Sequence, residues 1–233
     1  MKRVLVLVEG QTEETFVKEI LRDHLVSKGF SSAEPRIFGN ARNRRNRGGI
    51  RPWSDCKRDI LGHLRRDHNV LVTTMVDYYG LPSVGERAWP GRDIASNVPF
   101  SEKAGSVERA LFEDIRSEMK GDLSVDRFMP NIVMHEFEAL LFSDCDSFAK
   151  AIGRSELASQ FRSIVDLFSG PEEINDSPDT SPSKRILSLM PRYDKVFFGN
   201  LAALDIQLDQ IRRRCPHFDS WVSRLENAAM LKE

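Results

Sequence analysis

The strongest constraint on this chain is the unbroken apolar run Val4-Leu5-Val6-Leu7-Val8, which ends at Glu9-Gly10 and leads into Gln11-Thr12-Glu13-Glu14. Val and Leu without polar alternation predict a strand covered on both faces, as in a parallel sheet flanked by helices. In open sheets of that class, ligands bind in the crevice outside the carboxyl ends of the strands. Glu9 therefore falls where chemistry is expected. A second run, Val70 to Val76, delivers Asp77 in the same way, ahead of Tyr78-Tyr79-Gly80-Leu81-Pro82. If the two strands are parallel neighbours, both acids share one edge and can converge on a hard divalent cation, Mg²⁺ or Mn²⁺.

The pattern between and beyond these runs extends the same architecture. Thr12 is a plausible N-cap for a helix carrying Phe16, Val17, Ile20, Leu21 and Leu25 on one face, ending at Gly29. A weak strand is expected at Pro35 to Phe38, a helix at Asp55 to Asp67 and another at Glu102 to Lys120. Pro82 to Phe100 is too rich in Pro and Gly for regular structure and too long for an ordinary connection. Phe128 to Met134 reads as a further strand, with Pro130 moving it towards an edge or a bulge. Alternating strands and helices predict a doubly wound, mainly parallel α/β sheet, and beyond Ser143 the pattern is mostly helical apart from Gly170 to Pro182.

Other acids and cations join the candidate site. Glu13 and Glu14 suit the first helical turn, where they favour the dipole, and Glu13 is also within reach of a metal held by Glu9. His135, Glu136 and Glu138 follow the third strand; an extended chain points both glutamates to one face, whereas a helix separates them. Lys184 and Arg185 follow Ser181-Pro182-Ser183, a helix-start signature. Two exposed cations there oppose the dipole at a cost of roughly 0.3 to 1 kcal/mol each. A bound phosphate, or an ion pair with Glu136 or Glu138, would offset it, and Lys195 is a further phosphate-binding candidate. The segment from Ala41 to Arg51 carries Arg42, Arg44, Arg45, Arg47 and Arg51 and no acid. With Trp53 close behind, it suits phosphate contacts and base stacking, against the alternative of a solvated surface loop.

Val8-Glu9-Gly10-Gln11-Thr12-Glu13 resembles the opening motif of TOPRIM domains, the metal-dependent catalytic fold of topoisomerases, primases and OLD-type nucleases. The segments Val76 to Pro82, His135 to Phe142, Ser183-Lys184-Arg185 and Cys215-Pro216-His217-Phe218 are similar to those of a bacterial TOPRIM-like family, domain-of-unknown-function family 4276. The resemblance implies a TOPRIM-like α/β domain over residues 1–145 with a helical extension over 146–233 packed on the same core. It further implies a Mg²⁺-dependent nuclease acting on DNA or RNA. Glu9, Asp77 and Glu136 or Glu138 would hold metal, or Glu9 would act as general base, and Lys184 or Lys195 would stabilise the phosphate. An ABC-type ATPase partner and a role in anti-phage defence come with the same resemblance. The reading from a different class is a non-catalytic module that docks onto an ATPase or a nucleic acid. Its basis is that Tyr78 and Tyr79 follow Asp77 where the TOPRIM pattern has a second Asp two positions on.

Composition narrows the setting. Cys56, Cys145 and Cys215 form no CxxC pair, so neither a disulfide framework nor a zinc knuckle is indicated, and a reducing cytoplasm is expected. The first apolar run is too short for a signal peptide, and no stretch is long enough to span a bilayer. The pattern is compatible with self-association.

Overall fold

In the computed structural model, residues 2–39, 49–119, 127–175 and 177–230 are described. Strand β1 (Arg3–Val8) pairs in parallel with β2 (Ala33–Ile37) on one side and β3 (Val70–Asp77) on the other. Two short segments, β4 (Phe128–Met129) and β5 (Ile132–Val133), add in parallel to the far side of β3. The sheet is thus parallel throughout, with β1 and β3 at its centre. That position explains why both strands read as continuous apolar runs.

Pro130 has no N–H to give the ladder, and the edge breaks there. Side chains of β3 bridge the gap: the Thr73 hydroxyl donates to Met129 O at 2.5 Å and the Thr74 hydroxyl to Asn131 O at 2.8 Å. Asn131 N–H in turn donates to the Thr74 hydroxyl at 2.9 Å.

Each sheet face has its own core. Leu7, Val72 and Val76 point towards α2 (Trp53–Arg66) and α3 (Phe100–Glu118), packing with Ile60, Leu64, Val107 and Leu111. Val4, Val6, Val8, Leu71 and Met75 face the other side. They pack with Phe16 and Leu21 of α1, a continuous helix over Gln11–Phe16, Val17–Leu21 and Arg22–Ser27 with a π-helical middle. The same core takes in Phe148 of α4 (Cys145–Ala151), Phe161 of α5 (Ala158–Val165), Ile186 of α6 (Pro182–Leu189) and Ala202 of α7 (Asn200–Ile206). Ile211 of α8 (Leu208–Arg214) and Trp221 and Leu225 of α9 (Pro216–Met230) complete it. The Trp221 indole N–H donates to the Thr73 hydroxyl at 2.9 Å, tying the last helix to the central strand.

The structure corrects two expectations. The N-cap of α1 is Gly10 rather than Thr12, because the Glu13 carboxylate folds back to accept from Gly10 N–H at 2.9 Å. The Pro82 to Phe100 segment is largely irregular but holds one helical turn, Arg92–Ala95, started by Gly91 at φ +76°. A Cβ at Gly91 would stand 2.9 Å from both Ala110 Cβ and the Ser106 carbonyl oxygen. Gly91→Ala should therefore destabilise the protein by about 2–4 kcal/mol, from left-handed strain plus overpacking, measurable by denaturant unfolding. A loss under about 0.5 kcal/mol would mean the α3 contact yields freely.

Cys56, Cys145 and Cys215 are free and buried, and burial pushes all three thiols upward, away from the reactive thiolate form. Among the described residues, no helix is long and apolar enough to cross a membrane.

Candidate functional site

The parallel registers Val8↔Met75 and Asp77↔Val133 bring the carboxyl ends of β1, β3 and β5 to one edge. Five acids follow from that geometry. Glu9 leaves β1, Glu13 sits in the first turn of α1, and Asp77 ends β3. Glu136 lies in extended backbone just past β5, and Glu138 opens the 3-10 turn Phe137–Ser143. Neither simple alternative for Glu136 and Glu138 holds: one is extended, the other helical, and both are buried.

Each carboxylate has a distinct set of partners. Asp77 Oδ1 accepts from Phe137 N–H at 2.9 Å, which pins the 3-10 turn to the end of β3. Glu136 Oε2 accepts from Ser183 N–H at 2.8 Å, in the first turn of α6. Glu138 Oε1 lies 3.0 Å from the Lys195 ammonium. Glu9 points beneath Gly80, where a Cβ would be 3.7 Å from its Oε2. That Oε2 is buried and accepts no hydrogen bond from the described residues.

Crowded and desolvated, Glu9, Glu13, Asp77 and Glu138 resist ionisation. Burial raises Glu9; the Asp77 backbone N–H and then the Lys195 charge pull it back, and Glu136 and Glu138 push it further up. Burial, then the charges of Glu9 and Glu138, bring Glu13 to about 7. Asp77 is held well above the usual carboxylate range by burial and then by Glu9, Glu13, Glu138 and Glu136. Glu138 is raised by burial despite Lys195. Desolvation opposes the charge on Lys195, yet Glu138, Asp77 and Glu136 carry its ammonium above the ordinary value. Perturbation on this scale at a sheet edge makes these acids candidates for a functional site.

The donor set suits a hard divalent cation: carboxylate oxygens only, one of them orphaned, with mutual repulsion that a cation relieves. Among the described residues, no three His, Cys, Asp or Glu side chains already stand as a cage. Ion binding would have to draw the acids inward.

The cations divide. Lys195 reaches the acids from a π-helical turn, Lys195–Gly199, whose start is capped by Asp194 accepting from Phe197 N–H at 2.9 Å. Gly199 lets that turn approach, since a Cβ there would be 3.0 Å from the Tyr193 hydroxyl. Asn200 donates to Thr12 O at 3.2 Å and Val196 O at 2.9 Å, fixing the turn to α1. Asn200 and Gly199 were not expected from the sequence, and the Gly-Asn pair at the start of α7 is the one local sign of them.

Lys184 is exposed and forms no ion pair among the described residues. Arg185 turns away from the acids: its Nε donates to Thr180 O at 2.7 Å and Nη2 to Asn175 Oδ1 at 3.2 Å, with the guanidinium over the Phe168 ring. The anion at the α6 N-terminus is thus the Glu136 carboxylate. Arg51 lays its guanidinium against Gly39, just past β2, while its carbonyl accepts from the Trp89 indole at 2.9 Å. Arg42, Arg44, Arg45 and Arg47 lie outside the described residues.

A family model described as a domain of unknown function, DUF4276, matches residues 8–226. No curated protein matches the chain. Among solved structures, the C-terminal region of the Xanthomonas campestris pv. campestris OLD protein aligns over 98% of this chain and 97% of its own, at 14% identity and a TM-score of 0.46.

Proposed function

The chain belongs to the DUF4276 family, and from the acids that it gathers at one sheet edge we propose that it is a divalent-metal-dependent nuclease with a TOPRIM-like catalytic edge. The observation that carries this reading is the desolvated, mutually repelling set Glu9, Glu13, Asp77, Glu136 and Glu138 with the orphaned Glu9 Oε2. Buried like charges are costly unless a cation or a proton offsets them.

In this reading Glu9, Asp77 and Glu136 or Glu138 hold Mg²⁺ or Mn²⁺, with Glu13 beside them. The bound ion supplies Lewis acidity and lowers the pKa of a coordinated water. Lys195 is placed to neutralise charge on a phosphate that displaces it from Glu138. Glu13, near 7, can hold or release a proton at working pH, the property that a general acid or base needs. Alternatively, Glu9 Oε2 takes the proton of the attacking water. Exposed Lys184 and the Arg42 to Arg51 segment belong to the same proposal as contacts to the nucleic-acid backbone.

A second reading, a non-catalytic module that binds an ATPase or a nucleic acid, is favoured by one observation: Asp77 and Glu138 already have protein partners, Phe137 N–H and Lys195. Plasmid, single-stranded DNA and tRNA, incubated with Mg²⁺ or Mn²⁺ or with chelator, separate the two. The nuclease reading expects metal-dependent cleavage, reduced about tenfold or more by Lys195→Ala. The ABC-type ATPase and the defence role are part of the proposal, so the assay is run with and without that partner. Absence of both cleavage and Mn²⁺ binding in either case would leave the binding-module reading.

A further inference from the structure

Between the first turns of α3 and α9 lies a cavity of about 430 Å³ that none of the five acids lines. Its size falls within the range of small-ligand pockets, roughly 300–1,000 Å³. Its apolar lining is Phe100, Ala104, Met134 and Pro216. The same lining holds two cationic groups, Arg214 and His217. Arg214 is exposed and forms no ion pair among the described residues. His217 holds Glu108 through Nε2 at 2.9 Å, and although desolvation works against its charge, that carboxylate keeps the imidazole above its usual range.

Two acids also line the cavity, and they differ. Glu172 is saturated, its two oxygens accepting from His217 N–H at 3.0 Å and Phe218 N–H at 2.9 Å. Glu173 is half-buried, and among the described residues only its Oε2 is engaged, by Ser169 N–H at 3.3 Å. An aromatic ring, a carboxylate acceptor and cationic groups in one lining match a planar base with N–H donors attached to a phosphate. We propose that this cavity binds a nucleotide, its base against Phe100 and towards Glu173, its phosphate towards Arg214 and His217.

The cavity is joined to the acid edge. Phe100 packs edge-on against His135 with ring centroids 5.6 Å apart, and His135 packs likewise on Tyr78, also at 5.6 Å. Tyr78 directly follows Asp77, and His135 directly precedes Glu136. A chain of ring contacts thus runs from the cavity to the two backbone segments that carry Asp77 and Glu136. Binding itself does not depend on the nuclease reading.

The test is calorimetric titration of the full chain in chelator with GMP, AMP, inorganic phosphate and a 5′-phosphorylated trinucleotide. Saturable mononucleotide binding, well above that of phosphate alone, is expected. Arg214→Ala and Phe100→Leu should each weaken it at least about tenfold. Phe100→Leu retains apolar packing on His135 while removing the flat ring, and thermal unfolding checks that both variants fold. If the trinucleotide alone binds, with the same variant sensitivity, the occupant is a nucleotide within a strand; if GMP or AMP binds, it is free nucleotide. No binding of any nucleotide at about 1 mM, or binding that ignores Arg214 and Phe100, would overturn the proposal. Nucleotide binding without cleavage would sink only the nuclease reading, and cleavage without nucleotide binding only this one.

Discussion

Glu9→Gln and, separately, Asp77→Asn are expected to lower metal-dependent cleavage by at least about a hundredfold while leaving the fold intact. Both changes keep side-chain shape and remove a charge. The amide oxygen introduced by Asp77→Asn can still accept from Phe137 N–H, so the 3-10 turn that presents Glu138 stays attached to β3. What is lost is the carboxylate charge that a hard cation requires. Single-turnover cleavage and Mn²⁺ affinity, measured on the same preparations, check the expectation. Rates within twofold of wild type for either variant would remove that residue from the metal-binding set, and for both would end the assignment of this edge as catalytic.

Glu13→Gln should do the opposite to stability. In metal-free buffer at pH 8 it is expected to stabilise the protein by up to about 3 kcal/mol, because the carboxyl's value near 7 lies well above its ordinary 4.5. The folded state binds the Glu13 proton more tightly than the unfolded chain does. Between about pH 4.5 and 7, wild-type stability therefore falls as pH rises, and above 7 the full penalty applies. A glutamine side chain carries no such proton, and its amide oxygen can keep the bond from Gly10 N–H. Thermal unfolding against pH should show a shallower fall for the variant. A variant less stable than wild type at pH 8, or one with the same pH slope, would contradict the burial and repulsion assigned to Glu13. The result would be a common exchange, in which groups placed for function cost stability.

The edge acids were legible because a parallel strand announces itself by composition: Val4 to Val8 and Val70 to Val76 point to Glu9 and Asp77 without knowledge of anything else. Less legible was the choice between Lys184 and Lys195. It depends on Asn200 reaching Thr12 across 188 positions, a contact that no local pattern encodes. The helix cap went to Gly10 because a side chain three residues on bent back, which favours glycine as readily as threonine. Arg185, expected at a phosphate or an acid, satisfies the carbonyl and amide oxygens of its own preceding turn, and Glu136 takes the helix start instead.

The two cores close at different times during synthesis. The face built on α2 and α3 draws on residues from Leu7 to Met134, so it can form while the chain is still being made. The opposite face of the same strands needs Trp221 and Leu225, and the Trp221 indole bond to Thr73 cannot exist before them. At elongation rates of about 5–20 residues per second, the Thr73 side of β3 waits for Trp221 roughly 5–20 s after the first face is complete, although α1 can already cover Val4, Val6 and Val8. During that interval the part of this face that α9 will cover is open to water, to chaperones and to the edges of other nascent chains.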